Sequence, residues 1–169
     1  KKLALSLKVP IEKESEGVKR VVLAFQNYLK SVGIAITVEF KEWQAWKEDV
    51  FLEHDFDIVF ASWVFDDSAD ISSLFHSAEI GAWKNNFGGY SNPEVDGLIV
   101  EAKLTLDHEK RRTINRRLHS ILAAEQPYAF LWTLTNYSAY HRKVRRVQIH
   151  PYKFFSFADE WFIPESEQK

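Results

Sequence analysis

Near its start the chain switches hydrophobic period twice, and that switch constrains the fold more than any other feature. Residues 3–9 (LALSLKV) alternate apolar with polar or small side chains, the pattern of a half-buried strand. From Val18 the apolar positions fall at Val18, Val21, Val22, Phe25, Leu29 and Val32, the spacing of one helical face. Gly33 tolerates the left-handed conformation that stops a helix. Residues 34–40 (IAITVEF) then return to alternation with β-branched side chains. Strand, helix and strand in ~40 residues make a βαβ unit, which implies parallel strands and a right-handed crossover.

The pattern runs on once more. Residues 43–53 (WQAWKEDVFLE) suit a short helix, and the run 56–64 (FDIVFASWV), apolar without strict alternation, suits a central parallel strand buried on both faces. The fold class expected is α/β, a mainly parallel central sheet flanked by helices. In such sheets ligands bind beyond the carboxyl ends of the strands, which directs attention to the residues around Val64. Further on, Asn92-Pro93 marks a helix start, predicting a helix over 93–106. Asp107 caps another, with Ile114, Leu118, Ile121 and Leu122 as its buried stripe. Pro127 ends it, and YAFLWTL (128–134) is expected to resume as a strand. Residues 141–147 are basic, and the tail from Tyr152 to Trp161 is aromatic.

Composition narrows function by exclusion. The 169 residues hold 22 Lys plus Arg against 24 Asp plus Glu, so no broad basic surface for nucleic acid is implied. With no cysteine there is no disulfide framework, thiol nucleophile or zinc–thiolate site. The six histidines show no H-E-x-x-H pattern, no G-x-S-x-G occurs, and Gly88-Gly89 lacks the Lys-Ser/Thr of a phosphate loop. No cofactor, metal or enzymatic activity is expected. Methionine is absent too, which suggests a piece of a longer protein whose own terminus reports nothing on localisation.

Three carboxylates follow the third strand. Asp67 and Asp70 suit a helix-capping turn with Ser68, whereas Asp66 stands three residues beyond Trp63, where the strand leaves the sheet. The order D-D-S-A-D does not match a calcium loop. Arg111 falls in phase with the apolar stripe of its helix and needs a charge partner, Asp96 being the first candidate.

Several segments in order resemble the C-terminal lobe of the family 5 extracellular solute-binding proteins, the oligopeptide and dipeptide binders of ATP-driven importers. They are GIAITVEFKEW, DIVFASWVFDD, NNFGGYSNPEVDGLIVEA and LDHEKRRTINRRLHSILAAEQPYAFLW. The resemblance implies a type II periplasmic-binding-protein-like lobe over 1–151, with 152–169 a tail returning toward an N-terminal lobe of the same parent chain. Its aromatics (Tyr152, Phe154, Phe155, Phe157, Trp161 and Phe162) are expected to pack on their own lobe or on a neighbouring copy. It implies a hinge-closing protein, not an enzyme, that holds a peptide-like ligand for an ABC transporter permease in the periplasm or on the extracellular face of the cytoplasmic membrane, lipid-anchored or free. By resemblance the Trp-x-x-Asp pattern falls on Trp63-Val64-Phe65-Asp66, with Asp66 pairing the ligand ammonium, Trp63 walling the cleft, and the backbone of 62–65, from Ser62, pairing an extended peptide. Members often follow this with an acidic residue and Pro. Here the stretch is S-A-D-I, which keeps nickel complexes and sugars open as ligands. The remaining alternatives are an acid–base hydrolase using Asp66 and Asp70, and an interaction module built on the basic helix and aromatic tail.

Overall fold

The computed structural model describes residues 3–11, 16–65, 68, 70–133, 135 and 137–168. The chain forms two compact units, residues 1–64 with 70–127 and residues 65–69 with 128–169. The first opens with the expected βαβ unit: β1 (Leu3–Pro10), α1 (Glu16–Ser31) and β2 (Ile34–Lys41). β1 and β2 pair in parallel along their whole length, from Leu3 opposite Ile34 to Pro10 opposite Lys41. Strand alternation sends Leu5, Leu7 and Val9, with Ile34, Ile36, Val38 and Phe40, to one face, where Val18, Val22, Phe25 and Leu29 of α1 cover them. Val32 departs from the expected stripe and is 71% exposed, because α1 has already ended at Ser31. The amide of Val32 turns back to the Leu29 carbonyl, and Gly33 then takes the left-handed φ of 87°.

β2 leads into α2 (Trp43–Lys47), which runs on as a π-helical turn over Glu48–Glu53 and stops at left-handed His54. The expected third strand over 56–64 is shorter than its apolar run. Only β3 (Ile58–Val59) is strand, parallel to β1, and the described order is β2-β1-β3. The central strand is therefore β1, whose Leu7, Lys8 and Val9 are all buried. The apolar run has another cause. Ile58 and Phe60 pack into the cluster under α1, while Phe56, Val59, Ala61 and Trp63 pack against Trp46, Val50 and Phe87 on the other side. Two cores claim the two faces, so the segment is apolar on both sides, Asp57 and Ser62 excepted, although its ladder is brief.

After α3 (Ser72–Phe75) the unit closes with α4 (Pro93–Leu104) and α5 (His108–Glu125), which pack on each other. Both starts use the expected caps. Asn92 accepts from the amides of Glu94 and Val95, and Asp107 from that of Lys110. Ile114, Leu118, Ile121 and Leu122 form the buried stripe of α5, meeting Val95, Ile99 and Ala102 on α4's inner side. Arg111 does not reach Asp96. It contacts the His108 ring at 3.0 Å, while Asp96 takes both the amide and the hydroxyl of Ser77. Asp96 sits in α4's first turn and Arg111 in α5's first turn, so an antiparallel pairing holds them at opposite ends. The ion pair that links the helices is Arg117–Glu94, at 2.8 Å.

The second unit is held by short contacts rather than long elements. Arg145 and Phe162 form an antiparallel bridge, Arg145 pairs with Glu167 at 2.6 Å, and Lys143 donates to the Glu167 carbonyl. Phe154, Phe155 and Trp161 pack on one another with centroids 4.7–5.9 Å apart, and Arg146 lies over Phe162. Phe154, Phe155 and Trp161 thus find ring partners, and Phe162 a guanidinium, within the unit that also holds residues 128–151. The strand expected over 128–134 does not form among the described residues. Phe130, Leu131 and Trp132 are more than half exposed, since a β-prone run without a partner strand has no ladder to join.

Candidate functional site

The residues singled out beyond β3 meet different fates. Asp66 and Asp67 lie outside the described residues. Ser62 and Val64 continue from β3 without sheet pairing and are exposed, Val64 almost completely; Phe65 is exposed as well. Among the described residues β3 pairs only with β1, so its outer edge is open to another extended chain.

Trp63 is the anchored member. Its ring stacks on Phe87 at 5.9 Å and 24°, and Phe87 in turn meets Phe51 and Phe56 edge-on at 5.2 and 5.9 Å. Phe51 touches Trp46 edge-on, and Trp46 stacks on half-exposed Trp43 at 5.2 Å. An aromatic layer thus backs Trp63, built from α2, the π-helical turn and the loop before α4. Offset and edge-to-face contacts of this kind stabilise beyond the area they bury, and they fix the plane of the indole.

Phe87 escaped sequence reasoning because it lies in a glycine-rich loop. That loop is held by Asn86, which is 1% exposed. Its side-chain amide donates to the carbonyls of His76 and Tyr90, and its side-chain oxygen accepts from the Tyr90 amide. A polar side chain able to satisfy so many backbone groups was the signal available in NNFGGY.

A charged cluster underlies the same region. Lys8, 3% exposed, contacts Asp49 at 2.7 Å and Asp55 at 2.6 Å, and Asp49 also accepts from Lys41. Burial alone would lower the Lys8 pKa, but the two carboxylates reverse this and raise it above its ordinary value. Hydrogen bonds from Lys41 and Lys8 hold Asp49 below the usual carboxylate range. Asp55 ties down the turn that launches β3, so the cluster positions the strand that leads to Trp63.

Asp70 bonds within the turn before α3 rather than as its cap, the N-cap being Ile71 with no side-chain cap bond. Its carboxylate accepts from the Ser72 amide at the entrance to α3 and pairs with Lys103 at 2.9 Å. Burial pushes its pKa up, but Lys103 and Ser72 outweigh this and hold it at about 2. Because the folded pKa is depressed, its stabilisation is present above 3.8 and is lost as pH falls through about 2. Asp70→Asn keeps an acceptor for the Ser72 amide and removes the charge. With a side chain one-third exposed, the expected loss is only about 1 kcal/mol at neutral pH. Urea unfolding should show the gap between variant and parent closing between pH 3.8 and about 2; a gap that persists there would place the effect elsewhere.

Comparison with known proteins follows the same lines. No family model matches the chain. It is 26% identical over 144 residues to the oligopeptide-binding protein AppA of Bacillus subtilis, covering 85% of this chain and 26% of AppA. The solved structure of that AppA, in complex with a nonapeptide, superposes with a TM-score of 0.78 over 96% of this chain and 32% of its own. The chain is thus similar to oligopeptide-binding proteins, which are family 5 solute-binding proteins. It is also 32% identical over 89 residues to the glutathione-binding protein GsiB of Pectobacterium atrosepticum, covering 53% of this chain and 17% of GsiB. NikZ of Campylobacter jejuni, in complex with Ni(L-His), shares the fold at 18% identity, with a TM-score of 0.61 over 74% of this chain and 25% of its own. The chain therefore spans about a quarter or less of the curated relatives it matches. Its architecture is that of a type II periplasmic-binding-protein lobe, a parallel sheet with flanking helices.

Proposed function

We propose that this chain is the C-terminal lobe of a two-lobed extracytoplasmic solute-binding protein, which captures a short peptide between its lobes and presents it to an ABC transporter permease. The observation that carries this reading is the likeness to peptide-bound AppA along almost the whole chain. The edge of β3, open among the described residues, and the backbone of 62–65, which joins no sheet among them, suit an added peptide strand, whose main-chain hydrogen bonds are indifferent to sequence. Trp63, held flat on Phe87, supplies an apolar wall. Asp66 takes the α-ammonium of the peptide, a charge-assisted bond that orients the ligand. The site binds and releases without chemistry, in keeping with relatives named as binding proteins. Residues 152–169 run toward the other lobe, and the protein works outside the cytoplasmic membrane. No helix among the described residues is long and apolar enough to cross one.

Native mass spectrometry of the full parent protein, purified without refolding, tests this. The expected result is a distribution of short-peptide masses. Asp66→Ala should deplete them and weaken tetra-alanine binding roughly 30-fold, the ~2 kcal/mol of a lost charge-assisted contact. A single non-peptide mass or a metal complex would overturn the peptide reading. Undiminished binding by the variant would remove Asp66 from the site.

A further inference from the structure

We infer that Trp83 is a specificity-determining residue of this site, its indole receiving an aromatic or large apolar side chain of the bound peptide; the inference rests on the peptide-binding reading above. Trp83 adopts φ 61°, the left-handed region in which a bulky L-residue is disfavoured. Its loop uses glycine for the other such conformations, Gly81 at φ 132° and Gly89 at φ 68°. Glycine would be the ordinary occupant of position 83 as well. Core filling does not account for the tryptophan, because the residue is 53% exposed. Nor does stacking, because among the described residues its ring is paired with no other.

What holds the strained conformation is the loop around it. The Trp83 amide donates to the Phe51 carbonyl at 2.6 Å, the Lys84 amide to Gly81, and the Lys84 ammonium to the Ala78 carbonyl. Buried Asn86 locks the far side of the loop to His76 and Tyr90. Strain of this kind persists only where surrounding bonds over-determine it, and such sites concentrate at ligand clamps. The mounting also joins Trp83 to the candidate site. Phe51, which holds its amide, packs edge-on against Phe87, and Phe87 stacks on Trp63. The Phe51 carbonyl thus ties the backbone of the Trp83 loop to the aromatic layer that backs Trp63. An exposed indole on a backbone fixed by these bonds offers an aromatic or branched side chain an apolar contact.

The test uses calorimetric titration of the full parent protein with tetra-alanine and the four tetrapeptides carrying one Phe among Ala. The parent should bind a Phe peptide about tenfold more tightly than tetra-alanine at one position, the size of a buried aromatic contact. Trp83→Gly should cut that advantage to about twofold while melting no lower than the parent, since glycine relieves the strain. Trp83→Phe should keep most of it. An advantage unchanged in Trp83→Gly, or no Phe advantage in the parent, would overturn the inference while leaving peptide binding intact. A parent that binds none of the five peptides would overturn the peptide reading and this inference with it.

Discussion

Asp49→Ala is expected to destabilise the first unit by about 3 kcal/mol, far more than Lys8→Met at a neighbouring position of the same cluster. The four groups Lys8, Lys41, Asp49 and Asp55 balance in charge, and Asp49 is the one both lysines share. Removing it leaves a buried ammonium with only Asp55, a residue that is largely exposed and well screened. Lys8→Met removes the buried charge itself and keeps the volume, while Asp49 retains Lys41. Replacing a buried ion by an apolar group of similar shape is often close to neutral. Guanidinium unfolding of the parent and both variants distinguishes the cases. A methionine variant weaker than the alanine variant would show that the ammonium itself stabilises the fold.

The pH dependence follows from the same shifts. The folded pKa of Asp49 is depressed, so its contribution is present above 3.8 and fades as pH falls through the lower folded value. The folded pKa of Lys8 is raised, so its contribution is full below 10.5 and fades as pH rises through the higher folded value. The gap between parent and Asp49→Ala should therefore narrow in the acid limb.

The βαβ start and the two capped helices were legible in the sequence because each rests on local chemistry: alternation, a 3.6-residue period, a glycine stop, an Asn or Asp cap. The four buried positions of α5 could be read off residue by residue for that reason. What escaped depended on partners distant in the chain. Lys8 looked like the solvent face of a half-buried strand until α2 and its π-helical turn covered it. The apolar run 56–64 looked like a long central strand, yet its apolarity answers to two side-chain clusters rather than to a long ladder. The run 128–134 has strand composition and no strand beside it among the described residues. Trp63 could be named from the resemblance of Trp63-Val64-Phe65-Asp66 to a Trp-x-x-Asp pattern, whereas the loop that supports it could not, since Phe87 and Trp83 carry no periodicity.

Phe87→Ala is expected to cost about 3–5 kcal/mol, the range for deleting a buried aromatic ring whose cavity cannot collapse. The ring is 5% exposed and contacts Phe51, Phe56 and Trp63 on different sides. Collapse is hindered because the loop backbone is pinned by Asn86 and by the Trp83–Phe51 hydrogen bond. Phe130→Ala serves as the control: the same side chain at 62% exposure should cost less than about 0.5 kcal/mol. Phe87→Leu separates support from stability. Leucine refills most of the volume, so about 1 kcal/mol should be lost, but it presents no flat face to Trp63. In the full parent protein, Phe87→Leu should therefore stay folded at ambient temperature while binding tetra-alanine several-fold more weakly, and the emission of Trp63 should shift to the red. Unchanged affinity with unchanged emission would mean that Trp63 keeps its plane without Phe87, and the aromatic layer would then be a core cluster with no part in presenting the site.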